Sequence, residues 1–108
     1  TEYSGERSEV IRQRVMEARQ RQLHRFKDEG IFCNGQMKTR HLKKYCRLEP
    51  ESQAILDTAM QKLNLSARAY TRILKVSRTI ADMDGSDRIL PAHISEAIQY
   101  RMLDRVIV

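Results

Sequence analysis

The polar and apolar positions of residues 66–83, "SARAYTRILKVSRTIADM", repeat with a helical period. On a 100° wheel Ala69, Tyr70, Ile73, Leu74, Val76, Ile80 and Ala81 cover about half the circumference. A stripe that wide predicts the central helix of a bundle, with Ser66 as its cap and Asp84-Gly85 as its stop. The same pattern predicts a helix over residues 8–30, capped by Ser8 and ended by Gly30. Its apolar stripe is Ile11, Val15, Ala18 and Phe26, with Met16 and Leu23 beside it. Residues 31–38 hold no period and contain the turn signal Asn34-Gly35, so they read as a connector.

Three further helices complete the expectation. Residues 39–47 form a short one with Thr39 as cap, facing Leu42, Tyr45 and Cys46 inward. The next starts at Pro50, which suits the first helical position because it has no N–H to leave unpaired. Ile55, Leu56, Ala59, Met60 and Leu63 are its inner face, and Asn64 ends it. The last starts at Pro91 and turns Ile94, Ala97, Ile98 and Met102 inward. The fold class expected is all-α: one domain over residues 1–108, a compact bundle of about five helices, two of them long.

Composition agrees with helices. Gly and Pro total six (four and two), and Trp is absent. No apolar run approaches the roughly 20 residues that span a bilayer, and the first residues lack the charged-then-apolar build of a signal peptide, so none is expected. Two cysteines, Cys33 and Cys46, are too few for a disulfide scaffold. A cytoplasmic chain with reduced thiols is expected. Thr1 at the start and "DRVIV" at the end lead us to expect a piece of something longer.

Charge is uneven. Residues 1–47 hold twelve Lys/Arg against six Asp/Glu, so the whole net charge of +6 lies there; residues 48–108 hold eight of each. Arg12, Arg19, Arg21 and Arg25 on the first helix are candidates for contact with DNA or with a neighbouring domain. A solvated face reads the same way. No Gly-rich phosphate loop or nucleophile motif is present. His24, His41, His93 and the cysteines do not stand at zinc-ligand spacing, so no metal site is expected. Glu49, Glu51, Asp57, Asp82, Asp84 and Asp87 read as helix-end and surface charges. The chain by itself is not expected to be an enzyme.

Arg68 is the odd residue. It stands in the first turn of the helix opened by Ser66, where the dipole disfavours a cation by about 0.3–1 kcal/mol. Arg68, Arg72 and Lys75 lie at i, i+4 and i+7, within about 60° of one another, with Arg78 at the margin. A helix start also offers free N–H groups, so an arginine there makes an anion receptor. The bland alternative is a pair with a carboxylate such as Asp57, or plain solvation.

The stretch "LNLSARAYTRILKVSRTIADMDGSDRILPAHISEAIQYR" closely resembles the C-terminal region of the magnesium-chelatase-like AAA+ ATPases, nearest to the ComM/YifB (competence or Mg-chelatase-related) branch. "VIRQRVMEARQRQLHRF" resembles the segment that joins their ATPase core to the small domain. The resemblance covers residues 8–105 and implies an AAA+ small, or lid, domain: residues 1–30 as the linker helix and 31–108 as the lid helices. It implies that Arg68, in Ser66-Ala67-Arg68, is the sensor-2 arginine that reaches the γ-phosphate of ATP, with Arg72 a weaker candidate. ATP and its Mg2+ would be bound mainly by the core, so no cofactor is expected on this chain alone. The partners implied are that core, neighbouring subunits of a ring (hexameric in this family) and, in the ComM branch, DNA during remodelling; no membrane is implied. The alternative is a free-standing helical DNA-binding module.

Overall fold

The computed structural model describes residues 2–107, and the side chains of residues 7–100. Five α-helices follow one another: α1 (Glu2–Arg25), α2 (Thr39–Tyr45), α3 (Pro50–Lys62), α4 (Ala67–Met83) and α5 (Pro91–Ile107). A 3-10 turn, Asn34–Gln36, sits inside the α1–α2 connector. No strand occurs among the described residues. Helix α4 is central and packs against α1 and α5, while α5 also packs on α3.

Local chemistry explains most boundaries. The Ser66 hydroxyl accepts from the Ala69 N–H at 3.2 Å, satisfying one of the free donors at the start of α4. Asn64 takes φ +51°, and the Leu65 N–H reaches back to the Met60 carbonyl at 3.1 Å, closing α3. Two helices start in an unforeseen way, on a histidine. His41 Nδ1 accepts from the Lys38 N–H, and His93 Nδ1 from the Leu90 N–H, both at 2.9 Å. Each ring does from the third helical position what a capping-box side chain does. An Nδ1 that accepts carries no proton, so Nε2 carries it in the neutral ring. His93 Nε2 then donates to Asp84 at 2.9 Å. His41 Nε2 lies 3.2 Å from the Glu29 carboxylate, but at an angle that makes no hydrogen bond. Lys38, not Thr39, is therefore the residue before α2.

Ser8 is not a cap. It lies inside α1, because nothing ahead of it stops a helix; Glu is a good former and a single Gly5 costs only about 1 kcal/mol. The helix also ends earlier than expected, at Arg25, and residues 26–30 are turn before Gly30 at φ +76°. The apolar stripe of α1 is buried only at Ala18 and Phe26. Ile11, Val15, Met16 and Leu23 are exposed, because the face of α1 turned to the bundle carries Arg14, Ala18, Gln22 and Arg25 instead.

The core is built from α3, α4 and α5, from the residues just past the ends of α1 and α2, and from the connectors. Phe26, Met37, Cys46, Leu56, Ile73, Leu74, Ala81, Ile89, Ile94 and Ala97 form one buried cluster. Phe26 stands edge-on to Tyr45, with ring centres 5.4 Å apart. Most inward assignments for α2 to α5 fall in this cluster or pack against it; Ala59 and Leu63 are half-buried outside it, Ala69 is buried beside it, and Met102 lies outside the described side chains. A core closed among these helices holds the domain without a disulfide; Cys33 is exposed and Cys46 buried.

Candidate functional site

At the start of α4 the backbone runs extended through Ser66 (φ −78°, ψ 166°) and then turns helical. Ala69 gives its N–H to Ser66, which leaves the first amides of the helix pointing outward with the positive dipole end. Arg68 projects there. Its side chain is exposed and makes no hydrogen bond or ion pair with the described residues. The Asp57 carboxylate is not its partner; it accepts from Gln53 Nε2 at 2.9 Å instead. Arg68 is thus a cation at the disfavoured end of a helix with no internal anion to offset it.

The rest of the cationic stripe has other duties. Lys75 donates to the Gly35 carbonyl at 3.1 Å. Arg72 is exposed and, with Lys75, borders a groove of about 450 Å3 lined by Ile73, Val76, Ile80 and Tyr100. Arg78 does not belong to the stripe. It is buried, 3% exposed, and donates to the backbone carbonyls of Ser86 (2.7 Å) and Asp87 (3.0 Å). Burial pulls its pKa down and Asp82 pushes it back up.

Asp82 is the largest surprise. Expected at the surface, it is 1% exposed. Arg25 grips it with two hydrogen bonds, 2.9 and 2.5 Å, and Asn34 adds a third at 2.9 Å. Arg78 stands 3.4 Å away on the same helix. Asn34 binds the cluster together: its amide accepts from Arg25 at 3.1 Å and donates to Thr79 at 3.0 Å, while its backbone N–H goes to Gln22. Arg25 is therefore half of a largely buried ion pair.

Two further arginines of α1 reach the same end of α4 at the surface. Arg14 pairs with Asp84 at 2.9 Å. Arg21 lies over Gly85 and 3.9 Å from Asp87. Arg14, Arg21 and Arg25 fall on one face of α1, spaced by seven and four. They meet the acidic end of α4 and its loop, residues 82–87. Three cations of the basic first half thus pair with α4 and its loop, Arg25 in the interior and Arg14 and Arg21 at the surface. Of the expected contacts, Arg12 keeps only an exposed pair with Glu9 at 3.8 Å, and Arg19 is exposed beside Phe32 and Cys33. The signal for this was slight: Arg78 and Asp82 are one turn apart and so can pair, but on the wheel both fall outside the apolar stripe of α4.

Comparison with known proteins gives the family. The family model for the C-terminal part of the magnesium chelatase subunit ChlI matches residues 5–101. The chain belongs to that family. It is similar to the uncharacterized protein YifB of Escherichia coli, 42% identical over 104 residues, which is 96% of this chain and 20% of that protein. It is similar also to the competence protein ComM of Haemophilus influenzae, 38% identical over 103 residues, or 95% and 19%. The chain spans about a fifth of the length of these relatives. In this magnesium-chelatase-type domain, one arginine at a helix start faces outward while three others lock α1 to the α4 end. Among the described residues no helix is long and apolar enough to cross a membrane.

Proposed function

We propose that this domain is the helical lid of a magnesium-chelatase-like AAA+ ATPase, and that Arg68 is its sensor-2 arginine. The observation that carries the reading is Arg68 itself: an exposed guanidinium at a capped helix start, with no ion pair among the described residues. Relatives about five times longer leave room for a separate nucleotide-binding core.

The donors present suit the outer oxygens of a phosphate chain and little more. Arg68 supplies a planar fork, and the Ala67 and Arg68 amides supply the helix end. ATP, with Mg2+ held by the core, would bring the phosphoryl group whose transfer needs positive charge and fixed geometry. Arg68 would bind and orient the terminal phosphate, and its dipole cost would be offset whenever that anion is in place. Arg72, one turn on, is the weaker candidate. Because α1 is fastened to α4 through Arg25–Asp82 and Arg14–Asp84, a shift of Arg68 would move α1 with it. Residues 1–30 would then carry that motion as the linker between core and lid. A ring of such subunits, hexameric by family resemblance, acting on DNA is the setting we favour, given the competence name of one relative.

The test uses the full-length protein. Arg68→Ala should lower ATP turnover about 10- to 100-fold, the effect of losing one charge-assisted hydrogen bond of roughly 1.5–3 kcal/mol. Its circular dichroism should match the parent, since the side chain is exposed. Unchanged turnover would count directly against the assignment. A free-standing DNA-binding module predicts instead tight, salt-sensitive binding of duplex DNA. The internal pairing of Arg14, Arg21 and Arg25 weighs against that second reading.

A further inference from the structure

Far along α4 from Arg68, a second cationic feature is built into the bundle. The end of α2, the α2–α3 connector and the loop before α5 enclose a cavity of about 380 Å3. Lys44, Arg47, Arg78 and Arg88 line it, against Glu49 and Asp87. The Asp87 carboxylate is 99% exposed and lies 3.9 Å from Arg21 of α1, outside the cavity's own cations; its carbonyl serves the wall, accepting from Arg78. Glu49 is the wall carboxylate engaged by a cation of the cavity itself, 2.5 Å from Arg88. Glu29 touches the rim through Lys44 at 3.5 Å. Arg47 is exposed and has no hydrogen bond or ion pair with the described residues.

Two further facts show that the region is short of acceptors. Arg78 keeps one buried donor, Nε, with no partner among the described residues. Its carboxylate, Asp82, is already held by two hydrogen bonds from Arg25, so one buried anion serves two guanidiniums. A buried excess of positive charge is costly unless an anion lies close by. Glu49 provides part of that anion, from an exposed position it can leave.

We propose that this cavity binds a phosphate-type oxyanion. Arg47, Arg88 and Lys44 would be the direct donors, Arg78 the fixed charge behind them, and Glu49 the carboxylate displaced from Arg88. The inference stands apart from the assignment of Arg68, because it uses another part of the surface and none of the same residues.

The experiment is a titration of the 15N-labelled chain with inorganic phosphate at constant ionic strength, followed by NMR. Saturable shifts are expected at residues 44–49 and 87–89 and at the Arg78 Nε–H. Removing the competing carboxylate, Glu49→Gln, should tighten binding about two- to fivefold, the scale of one exposed ion pair. The double variant Arg47→Ala/Arg88→Ala removes two exposed cations, keeps the core, and should weaken binding at least about fivefold. Arg68→Ala should leave it unchanged. A second titration with a short single-stranded oligodeoxynucleotide separates the sources. Stronger, salt-dependent shifts at the same residues identify a nucleic-acid phosphodiester, and shifts with phosphate alone identify a small phosphate. Shifts confined to residues 66–69, non-saturable shifts over the whole surface, or equal affinity in the double variant would each overturn the proposal.

Discussion

Asp82→Asn is the most informative single change, because it keeps the shape of the side chain and removes only its charge. The carboxylate is fully buried, and the two guanidiniums that share it are 15% and 4% exposed. Neutralising it leaves two buried cations without a counter-charge and turns an amide N–H toward one of them. Breaking a buried pair in this way costs about 3–5 kcal/mol. A domain of this size holds about 5–15 kcal/mol in all. At about 2.1 cal/mol/K per residue, the 108-residue chain has an unfolding entropy near 0.23 kcal/mol/K, so Tm should fall by roughly 13–22 °C. Calorimetry or thermal circular dichroism measures this directly. Asp87→Asn, at a 99% exposed carboxylate, is the control and should stay within about 2 °C. Removing Arg25 should also hurt less in the Asp82→Asn background than in the parent, with a coupling above about 1.5 kcal/mol. A drop under about 4 °C for Asp82→Asn would refute the claim that this carboxylate organises the interface between α1 and α4.

Three other expectations concern the end of the same network and the two cysteines. Gly85 sits at φ +69° with an Arg21 nitrogen 3.2 Å from where a Cβ would be, so Gly85→Ala should destabilise by about 1 kcal/mol, read from the urea midpoint. Burial pushes the Cys46 thiol up to about 11 from 9.0, against the pull of Arg78 and Arg25. The unfolded chain therefore releases this proton first, and the contribution of Cys46 is complete below pH 9 and lost as pH rises toward 11. Urea titrations across that range should show the parent losing more stability than Cys46→Ala; equal slopes would contradict the burial argument. Iodoacetamide at pH 8 should modify exposed Cys33 well before Cys46.

Much of this domain is written in local chemistry. The five helices follow from apolar spacing at a period of 3.6. Pro50, Asn64, Ser66 and Pro91 mark their ends because the preferences of those residues are satisfied within a few neighbouring positions. Arg68 is legible for the same reason: a cation in a first turn conflicts with the dipole of its own helix, and no folded context is needed to notice it. The family resemblance carried by the α4 stretch is also a property of the residues in order, and the match over residues 5–101 agrees with it.

What the linear order does not decide is which charges face which. Asp82 and Asp57 are the same residue type on amphipathic helices, yet one is sealed under Arg25 and the other rests on a surface glutamine. Arg14, Arg21 and Arg25 look like an open basic face until α1 crosses the end of α4 and meets residues 82–87. His41 and His93 give no sign that they will start helices, since that depends on a ring reaching one particular N–H. Helical periods arise from bonds four residues apart, so the order of residues sets them. Ion pairs across 57 to 70 positions of chain depend on how the helices dock, and only the tertiary structure decides that.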